Sequence, residues 1–229
     1  MRQILEISGP NGADSLSALM SALQEAAVAH ALELHIDHDR MLEDFGCLWM
    51  IVRCRLCVTR FPNGRFFVRT WLRKPSAVVS IRDFSIYDEM GELGTAVQSW
   101  VLVDAAERRI ISMKNIAPLW ELPTPAPERK EQPRRLVMPQ ELTERARWTV
   151  TPEEIDSNGH LNNVAYVRRA EALAPKGCTE LSVMFDRECF VGQTLRLKSA
   201  PQGDGCFVCG IKEDGEESFR ACFRGSNII

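Results

Sequence analysis

The chain has 229 residues, of which 45% are hydrophobic and 26% charged, with 28 Lys and Arg against 31 Asp and Glu. This composition is typical of a folded globular protein, and a net charge of −3 excludes a general nucleic-acid binder, which needs a basic excess to neutralise phosphates. The sequence contains no apolar run near the ~18 residues of a membrane span and no secretion signal at its start, so we expect a cytosolic protein that does not bind membranes.

The first half of the chain predicts one amphipathic helix followed by a set of strands. A short strand over 3–8 and a turn over 10–12 precede a helix over about 15–29, with Asp14 or Ser15 as its N-cap. Apolar residues recur along this helix at the spacing of one buried face: Leu16, Leu19, Met20, Leu23 and Ala27. We then expect a loop over 35–46 and strands over 48–61, 65–73, 77–88, 94–103 and 108–114.

The second half repeats this plan. A strand over 146–151 and a turn over 156–159 precede a helix over about 163–174, and strands follow over 180–190, 194–200, 207–212 and 217–223. Asn11-Gly12 and Asn158-Gly159 hold the same place before the two helices. One helix followed by several long antiparallel strands, twice, predicts an α+β protein with the double hotdog fold, in which a curved antiparallel sheet wraps each central helix.

A proline-rich segment divides the two repeats. Six of the twelve prolines lie between Pro118 and Pro139, where they remove backbone donors and favour an extended chain. We therefore predict an N-terminal hotdog over 1–117, a linker over 118–139 and a C-terminal hotdog over 140–229.

The eight cysteines include two C-x-x-C pairs, Cys54/Cys57 and Cys206/Cys209, a spacing that zinc sites also use. Both pairs fall in predicted strands, where positions i and i+3 point to opposite faces. We therefore expect buried free thiols rather than a zinc site or, without a secretion signal, disulfides. A cluster after the first helix matches no metal-ligand spacing and is expected to be a solvated loop: His30, His35, Asp37, His38 and Asp39. We predict no metal ion and no other cofactor.

The most informative segment covers residues 154–167, before and within the second predicted helix. Within eight residues it contains a carboxylate, an imidazole and three carboxamides: Asp156, Asn158, His160, Asn162 and Asn163. Asp and Asn are common at helix N-caps and in turns, but one cap needs only one acceptor. The start of a helix also offers free backbone N–H groups, which can hold a carbonyl oxygen as it becomes negatively charged.

This segment, Asp156-x-Asn158-x-His160-Leu161-Asn162-Asn163-x-x-Tyr166, resembles the signature of the acyl-acyl carrier protein (acyl-ACP) thioesterases. Downstream, Asp186-Arg187-Glu188-Cys189 resembles the Arg-Glu-Cys segment of that family, and the order Trp71…Gly94…Trp100 resembles its N-terminal sheet. The resemblance implies the double hotdog fold, acyl-ACP as the partner, and hydrolysis of the thioester that joins a fatty acyl chain to the carrier's phosphopantetheine arm. It also implies a catalytic set: Asp156, Asn158, His160 and Glu188.

The resemblance leaves open whether Cys189 is a nucleophile or a bystander. Adjacent residues of a regular strand face opposite sides, so Glu188 and Cys189 cannot both enter one cavity unless a bulge intervenes. Cys189 has the strand parity of Leu181, Val183 and Phe185, which is the pattern of a core face. This pattern favours Glu188 as the acting residue and Cys189 as part of the packing.

Our hypothesis for the chemistry uses water as the nucleophile. Glu188, helped by His160, would take a proton from water as it attacks the thioester carbonyl. Asp156 and Asn158 would orient the partners. The oxyanion would be held at the start of the second helix, by Asn162 and Asn163.

The first half lacks this set, because the repeat places Gly9 opposite Asp156 and Ala13 opposite His160. One site per chain is therefore expected, which leaves the N-terminal unit free to bind the acyl chain. Small or flexible residues of its helix would leave room beneath the sheet, or merely allow close packing: Ala18, Met20, Ala22, Ala26 and Ala27. Three tryptophans fit either a core or a tunnel wall: Trp49, Trp71 and Trp100.

An acidic carrier protein needs a local basic patch for docking. The candidates are Arg168, Arg169 and Lys176, although charges on an exposed helix are usually only a solvated face. Two other functions fit the same fold: an acyl-coenzyme A thioesterase, and a non-catalytic acyl-thioester binding or sensor protein, which would not need His160 and Glu188 together. The sequence leaves both a monomer and a homodimer open.

Overall fold

The computed structural model describes residues 3–122, 131–156 and 159–225. The first half contains these elements: β1 (Leu5–Asn11), α1 (Leu16–Glu33), α2 (His38–Phe45), β2 (Cys47–Val58), β3 (Arg65–Leu72), β4 (Ser80–Asp88), β5 (Gly91–Asp104), β6 (Ile110–Ile111) and α3 (Ala117–Trp120). The second half contains these: β7 (Thr143–Thr149), α4 (Asn163–Glu171), β8 (Cys178–Phe185), β9 (Thr194–Gln202), β10 (Gly205–Lys212) and β11 (Glu217–Gly225).

The strands of the described residues form one antiparallel sheet. Its order is β1-β3-β4-β5-β2 in the first half and β7-β9-β10-β11-β8 in the second, and β2 pairs with β8 to join them. Arg53 lies opposite Met184 and Cys57 opposite Glu180 at this junction. Because the two halves share one strand order and each supplies one long helix, the predicted double hotdog is confirmed.

Helix α1 lies against the sheet through the apolar face that the sequence predicted. Its N-cap is Ser15, whose Oγ accepts a hydrogen bond from the Ala18 N–H at 3.2 Å. The predicted face is buried throughout: Leu16, Leu19, Met20, Leu23 and Ala27. α1 packs on β1, β3, β8 and α4, so one core is shared between the two halves.

The first turn of α1 is also held from the other half of the chain. Glu171, the last residue of α4, accepts the backbone N–H groups of Leu16 at 2.7 Å and Ser17 at 3.0 Å. These are two of the N–H groups that the start of a helix leaves without a partner inside the helix. The carboxylate also lies at the positive end of the helix dipole, so the two central helices are tied together.

Two of the predicted elements of the first half are wrong. The loop expected over 35–46 contains α2, which begins after the N-cap Asp37 and ends at Gly46, where φ is 61°. The strand expected over 108–114 is reduced to the two residues of β6, preceded by Arg108 at a φ of 53°. A residue in this left-handed region cannot continue a strand.

Strand β8 ends at Phe185 rather than at residue 190. The N–H groups of Asp186 and Arg187 both donate to the Ser218 carbonyl oxygen, at 2.8 and 3.0 Å, and this doubled contact ends the regular pairing with β11. Glu188 and Cys189 therefore lie in a loop, and the strand geometry assumed for them was wrong.

The predicted linker lies only partly within the described residues. α3 begins at Ala117 and overlaps it, residues 131–139 contain no helix or strand, and residues 123–130 lie outside the described ranges. The proposed domain boundaries stay predictions. Among the helices of the described ranges, none is both long enough and apolar enough to cross a membrane.

Candidate active site

The side chains of His160 and Glu188 meet at the mouth of a cavity between the two halves. His160 Nδ1 lies 3.6 Å from Glu188 Oε1, and the two side chains are 20% and 22% exposed. Both line the cavity. An imidazole and a carboxylate therefore meet in front of α4, as the hypothesis for the chemistry needs.

Backbone hydrogen bonds bring these two residues together. The Leu161 N–H donates to the Cys189 carbonyl oxygen at 2.9 Å, so the residues that precede each of them in the chain, His160 and Glu188, become neighbours. The ring of Phe190 packs edge-on to the His160 imidazole, with 5.4 Å between centroids. The imidazole is thus held by both the chain and its packing.

Asp156 stabilises the loop that holds His160. The His160 N–H donates to Asp156 Oδ1 at 3.2 Å, and the Asp156 N–H donates to the His160 carbonyl oxygen at 2.8 Å. Asp156 also lines the cavity. The predicted partner Asn158 lies outside the described residues.

The two asparagines at the start of α4 have different surroundings. Asn162 is the N-cap, and its Oδ1 accepts the Val164 N–H at 2.9 Å, so this side chain performs the capping role that the sequence also allowed. Asn163 is the first residue of the helix and lines the cavity beside His160. Of the pair, Asn163 is the one placed to contact a bound ligand.

Cys189 points away from the cavity into the core. It is fully buried, and its Sγ lies 3.1 Å from Ser218 Oγ. The Tyr166 hydroxyl lies 3.5 Å from that Ser218 hydroxyl, and burial raises the pKa of its phenol. Although the strand argument was wrong, Cys189 and Glu188 do face different surroundings.

Sequence reasoning missed Arg108, which lies in the turn between β5 and β6 of the first half. Its Nη2 lies 2.9 Å from His160 Nε2 and 2.6 Å from Glu188 Oε2. The guanidinium is 40% exposed. No local pattern could have indicated this contact, since it joins residues 52 and 80 positions apart.

The cavity has a volume of about 310 Å³ and walls from both halves of the chain. Large apolar or small side chains of the first half form most of one wall: Met20, Ala27, Trp49, Ile51, Leu72 and Trp100. The second half contributes the front of α4 and the loop after β8: Asp156, His160, Leu161, Asn163, Tyr166 and Glu188. Polar side chains also line the cavity from the first half, among them Gln98 and Arg82. A cavity with apolar walls and a limited number of polar groups is typical of small-molecule sites.

The small or flexible residues of α1 pack in the core, and some of them also line this cavity. Met20 and Ala27 line the cavity and also belong, with Ala22 and Ala26, to the core shared by the two halves. Ala18 packs against that core. Close packing of these residues is therefore observed, and room for an acyl chain beside Met20 and Ala27 stays a prediction.

A buried polar group lies in the cavity wall of the first half. Arg82 Nη1 is 2.9 Å from His30 Nδ1 and 3.2 Å from Thr70 Oγ1. Burial lowers the pKa of the Arg82 guanidinium to about 9. His30 is thereby part of a buried hydrogen-bonded pair rather than of the solvated loop that the sequence predicted.

The other residues of that predicted loop lie on or near α2. Asp37 is the N-cap of the helix, and His38 is its first residue. Among the residues that the structure describes, no three His, Cys, Asp or Glu side chains are grouped so as to hold a metal ion. The cysteines are all free thiols, and on β2 Cys54 is buried while Cys57 is partly exposed, as strand alternation predicts.

The candidate docking residues have unequal surroundings. Arg169 pairs with Glu154 at 2.7 Å and stacks over Trp148 at 5.3 Å from the ring centroid. Its charge is therefore already paired within the protein. Arg168 and Lys176 are exposed. Their role in docking a carrier stays a prediction.

The strand order, the two central helices and the cavity between them define a protein of the double hotdog class. Solved structures share this fold. An acyl-ACP thioesterase from Bacteroides thetaiotaomicron matches with a TM-score of 0.86 and 19% identity, covering 97% of each chain. The 12:0-ACP thioesterase from Umbellularia californica matches with a TM-score of 0.78 and 19% identity, covering 98% of this chain and 97% of that one.

Sequence comparison finds similarity to one family. Residues 5–116 match the model of the acyl-ACP thioesterase N-terminal domain. Palmitoyl-acyl carrier protein thioesterase of Arabidopsis thaliana is 25% identical, in a match that covers 91% of this chain and 55% of that protein. Dodecanoyl-[acyl-carrier-protein] hydrolase of Cinnamomum camphora is 24% identical, in a match that covers 96% of this chain and 68% of that protein. The chain is therefore similar to acyl-ACP thioesterases over residues 5–116, and it spans about half the length of the Arabidopsis relative.

Proposed function

We propose that this protein hydrolyses the thioester of fatty acyl-ACP and so releases free fatty acid from its carrier. The observation that carries the proposal is the His160–Glu188 pair in the wall of a cavity that large apolar side chains also line. An acyl chain fits the apolar walls, and its thioester would then lie beside the pair. The similarity of residues 5–116 to the acyl-ACP thioesterase N-terminal domain supports the same reaction.

In the proposed reaction, Glu188 acts as the general base. The 3.6 Å between His160 Nδ1 and Glu188 Oε1 is longer than a direct hydrogen bond, and a water that lies beside the two atoms can contact both. Glu188 takes a proton from this water as its oxygen attacks the thioester carbonyl carbon. The carbon–sulfur bond then breaks, and the carrier thiolate takes up the proton held by Glu188.

The front of α4 completes the proposed site. Charge develops on the carbonyl oxygen during the attack, and the start of a helix is positive. Asn163 lies there and lines the cavity. Asp156 contributes by holding the His160 loop through the backbone contacts described above.

The proposed division of labour assigns the acyl chain to the first half. The cavity continues from the pair along α1 and β2, where Met20, Ala27 and Trp49 line it. Substitutions of these residues would then change the preferred acyl length, whereas substitutions at His160 and Glu188 would change the turnover.

The test is thiol release from palmitoyl-ACP and dodecanoyl-ACP, the acyl chains in the names of the plant relatives. We expect turnover by the wild type and losses of about 10²–10⁴-fold in Glu188→Gln and His160→Ala. Binding without turnover would contradict the proposal and indicate a sensor. Faster hydrolysis of the acyl-coenzyme A with the same acyl chain would indicate that coenzyme A, and not ACP, is the carrier. Fractionation of producing cells tests the cytosolic location that we propose with it.

A further inference from the structure

The catalytic pair of the second half is joined by a side chain from the first half. Arg108 Nη2 contacts His160 Nε2 at 2.9 Å and Glu188 Oε2 at 2.6 Å. Arg108 itself does not line the cavity.

The turn between β5 and β6 is built to hold Arg108 in this position. Asp104 Oδ1 accepts the N–H groups of Ala106 at 3.0 Å and Glu107 at 2.8 Å. The Arg108 N–H then donates to the Asp104 carbonyl oxygen at 2.9 Å. Arg108 adopts a φ of 53°, a conformation that non-glycine residues rarely take without support from their surroundings.

We propose that Arg108 is a positioning residue of the active site, which fixes the tautomer of His160 and the orientation of the Glu188 carboxylate. This inference rests on the proposed hydrolase function. A guanidinium is always protonated in water and has only donors, so His160 Nε2 must be the acceptor in their hydrogen bond. The imidazole proton is then on Nδ1, where it faces Glu188 Oε1.

In this tautomer, His160 Nδ1 and Glu188 Oε1 have different roles toward the attacking water. The Nδ1–H group donates to the oxygen of the attacking water, and Glu188 Oε1 accepts a proton from the same water. Arg108 meanwhile occupies Glu188 Oε2, so the carboxylate cannot rotate away. Without Arg108, the imidazole can carry its proton on either nitrogen and the carboxylate can turn, so fewer molecules hold the water correctly.

The expected defect is in turnover rather than in binding. Arg108→Gln removes the charge and the fork of donors but keeps a long side chain that can adopt the same backbone conformation. We expect kcat to fall about 10–100-fold with KM within about twofold, on whichever of palmitoyl-ACP and dodecanoyl-ACP the wild type hydrolyses faster. Arg108→Lys should recover part of the loss, because an ammonium still donates to both atoms but is less rigidly placed.

The matched control is Arg109→Gln, which removes one positive charge from the next, exposed position of the same turn. We expect wild-type kcat and KM. Thermal unfolding of all three variants should match the wild type, since the ion pair of Arg108 is partly exposed and contributes little to folding.

A second measurement is independent of activity. In protein labelled with ¹⁵N-histidine, we expect His160 at neutral pH to carry its proton on Nδ1 in the wild type and to show a mixture of tautomers in Arg108→Gln. An unchanged tautomer, or a folded Arg108→Gln protein with wild-type kcat, would overturn the inference. If the wild type hydrolyses neither substrate, the proposed function fails, and the nitrogen spectra alone decide whether Arg108 sets the tautomer.

Discussion

The carboxylate of Glu171 offers a quantitative test of how the two halves are held together. It accepts the N–H groups of Leu16 and Ser17 at the start of α1, at 2.7 and 3.0 Å. In Glu171→Ala, both N–H groups are left to water. We expect the free energy of unfolding to fall by about 2 kcal/mol. This value lies between the typical cost of a lost helix cap and that of two lost charge-assisted hydrogen bonds. Glu171→Gln keeps one acceptor oxygen for the two N–H groups and loses the charge beside the helix dipole, which costs about 1 kcal/mol.

These energies convert into measurable shifts. For a chain of this size, 1 kcal/mol corresponds to about 2–4 °C in Tm, so Glu171→Ala should melt about 4–8 °C below the wild type and Glu171→Gln about 2–4 °C below it. Urea unfolding followed by circular dichroism gives the free energies directly. The control is Glu89→Gln, since Glu89 is exposed in the turn between β4 and β5.

The order of the three variants tests the reasoning. A Glu171→Ala protein within about 0.5 kcal/mol of the wild type would behave like an ordinary surface variant and would refute the view that α4 caps α1. Glu171 does not line the cavity, so the thiol-release rate at a temperature well below the melting range should be unchanged in all of them.

Three further outcomes follow from the described contacts. Cys189→Ala should keep most of the hydrolysis, because Sγ lies in the core beside Ser218; an acyl-enzyme trapped on Cys189 by acid quench and found by mass spectrometry would contradict this. Gly205→Ala should cost about 3 kcal/mol in urea unfolding, because its Cβ would lie 1.8 Å from the Phe223 carbonyl oxygen. Burial raises the pKa of the Cys209 thiol from 9.0 to about 11. As the pH rises through this range, the unfolded chain loses the thiol proton before the folded protein does. The free energy of unfolding in urea should therefore fall with rising pH, and it should fall less steeply in Cys209→Ala.

The fold could be predicted because its signals are local and repeated. The face of α1 from Leu16 to Ala27 follows helical spacing, and the same order of helix and strands occurs twice. Helix α2 was missed, although Asp37 and Gly46 are standard residues for its two ends. It has only eight residues, which is too few for an apolar period to stand out against the polar residues around it.

Residues of the candidate site could be predicted where they lie in a sequence motif, and the others could not. His160 and Glu188 were found from two segments that resemble those of a known family, and their contact requires only that the Leu161–Cys189 hydrogen bond joins those segments. Arg108 gave no such signal, because it was assigned to a strand and its backbone in fact turns into the left-handed region. Its contact depends on how the first half lies against the second, which no local pattern encodes.

The first half could not simply contain a second copy of the catalytic set. Gly9 stands where the second half has Asp156, and a Cβ there would lie 2.3 Å from the ring of Phe66. That ring is fully buried, and Ala13, which stands in place of His160, is buried as well. An aspartate at this position would have to displace a core phenylalanine, at a cost of about 3–5 kcal/mol if the ring were lost. Gly9 therefore lies in strand β1 against the core, whereas Asp156 lies outside the strands and lines the cavity. The two halves consequently differ in what they can supply: the first gives the apolar wall and Arg108, and the second gives His160 and Glu188.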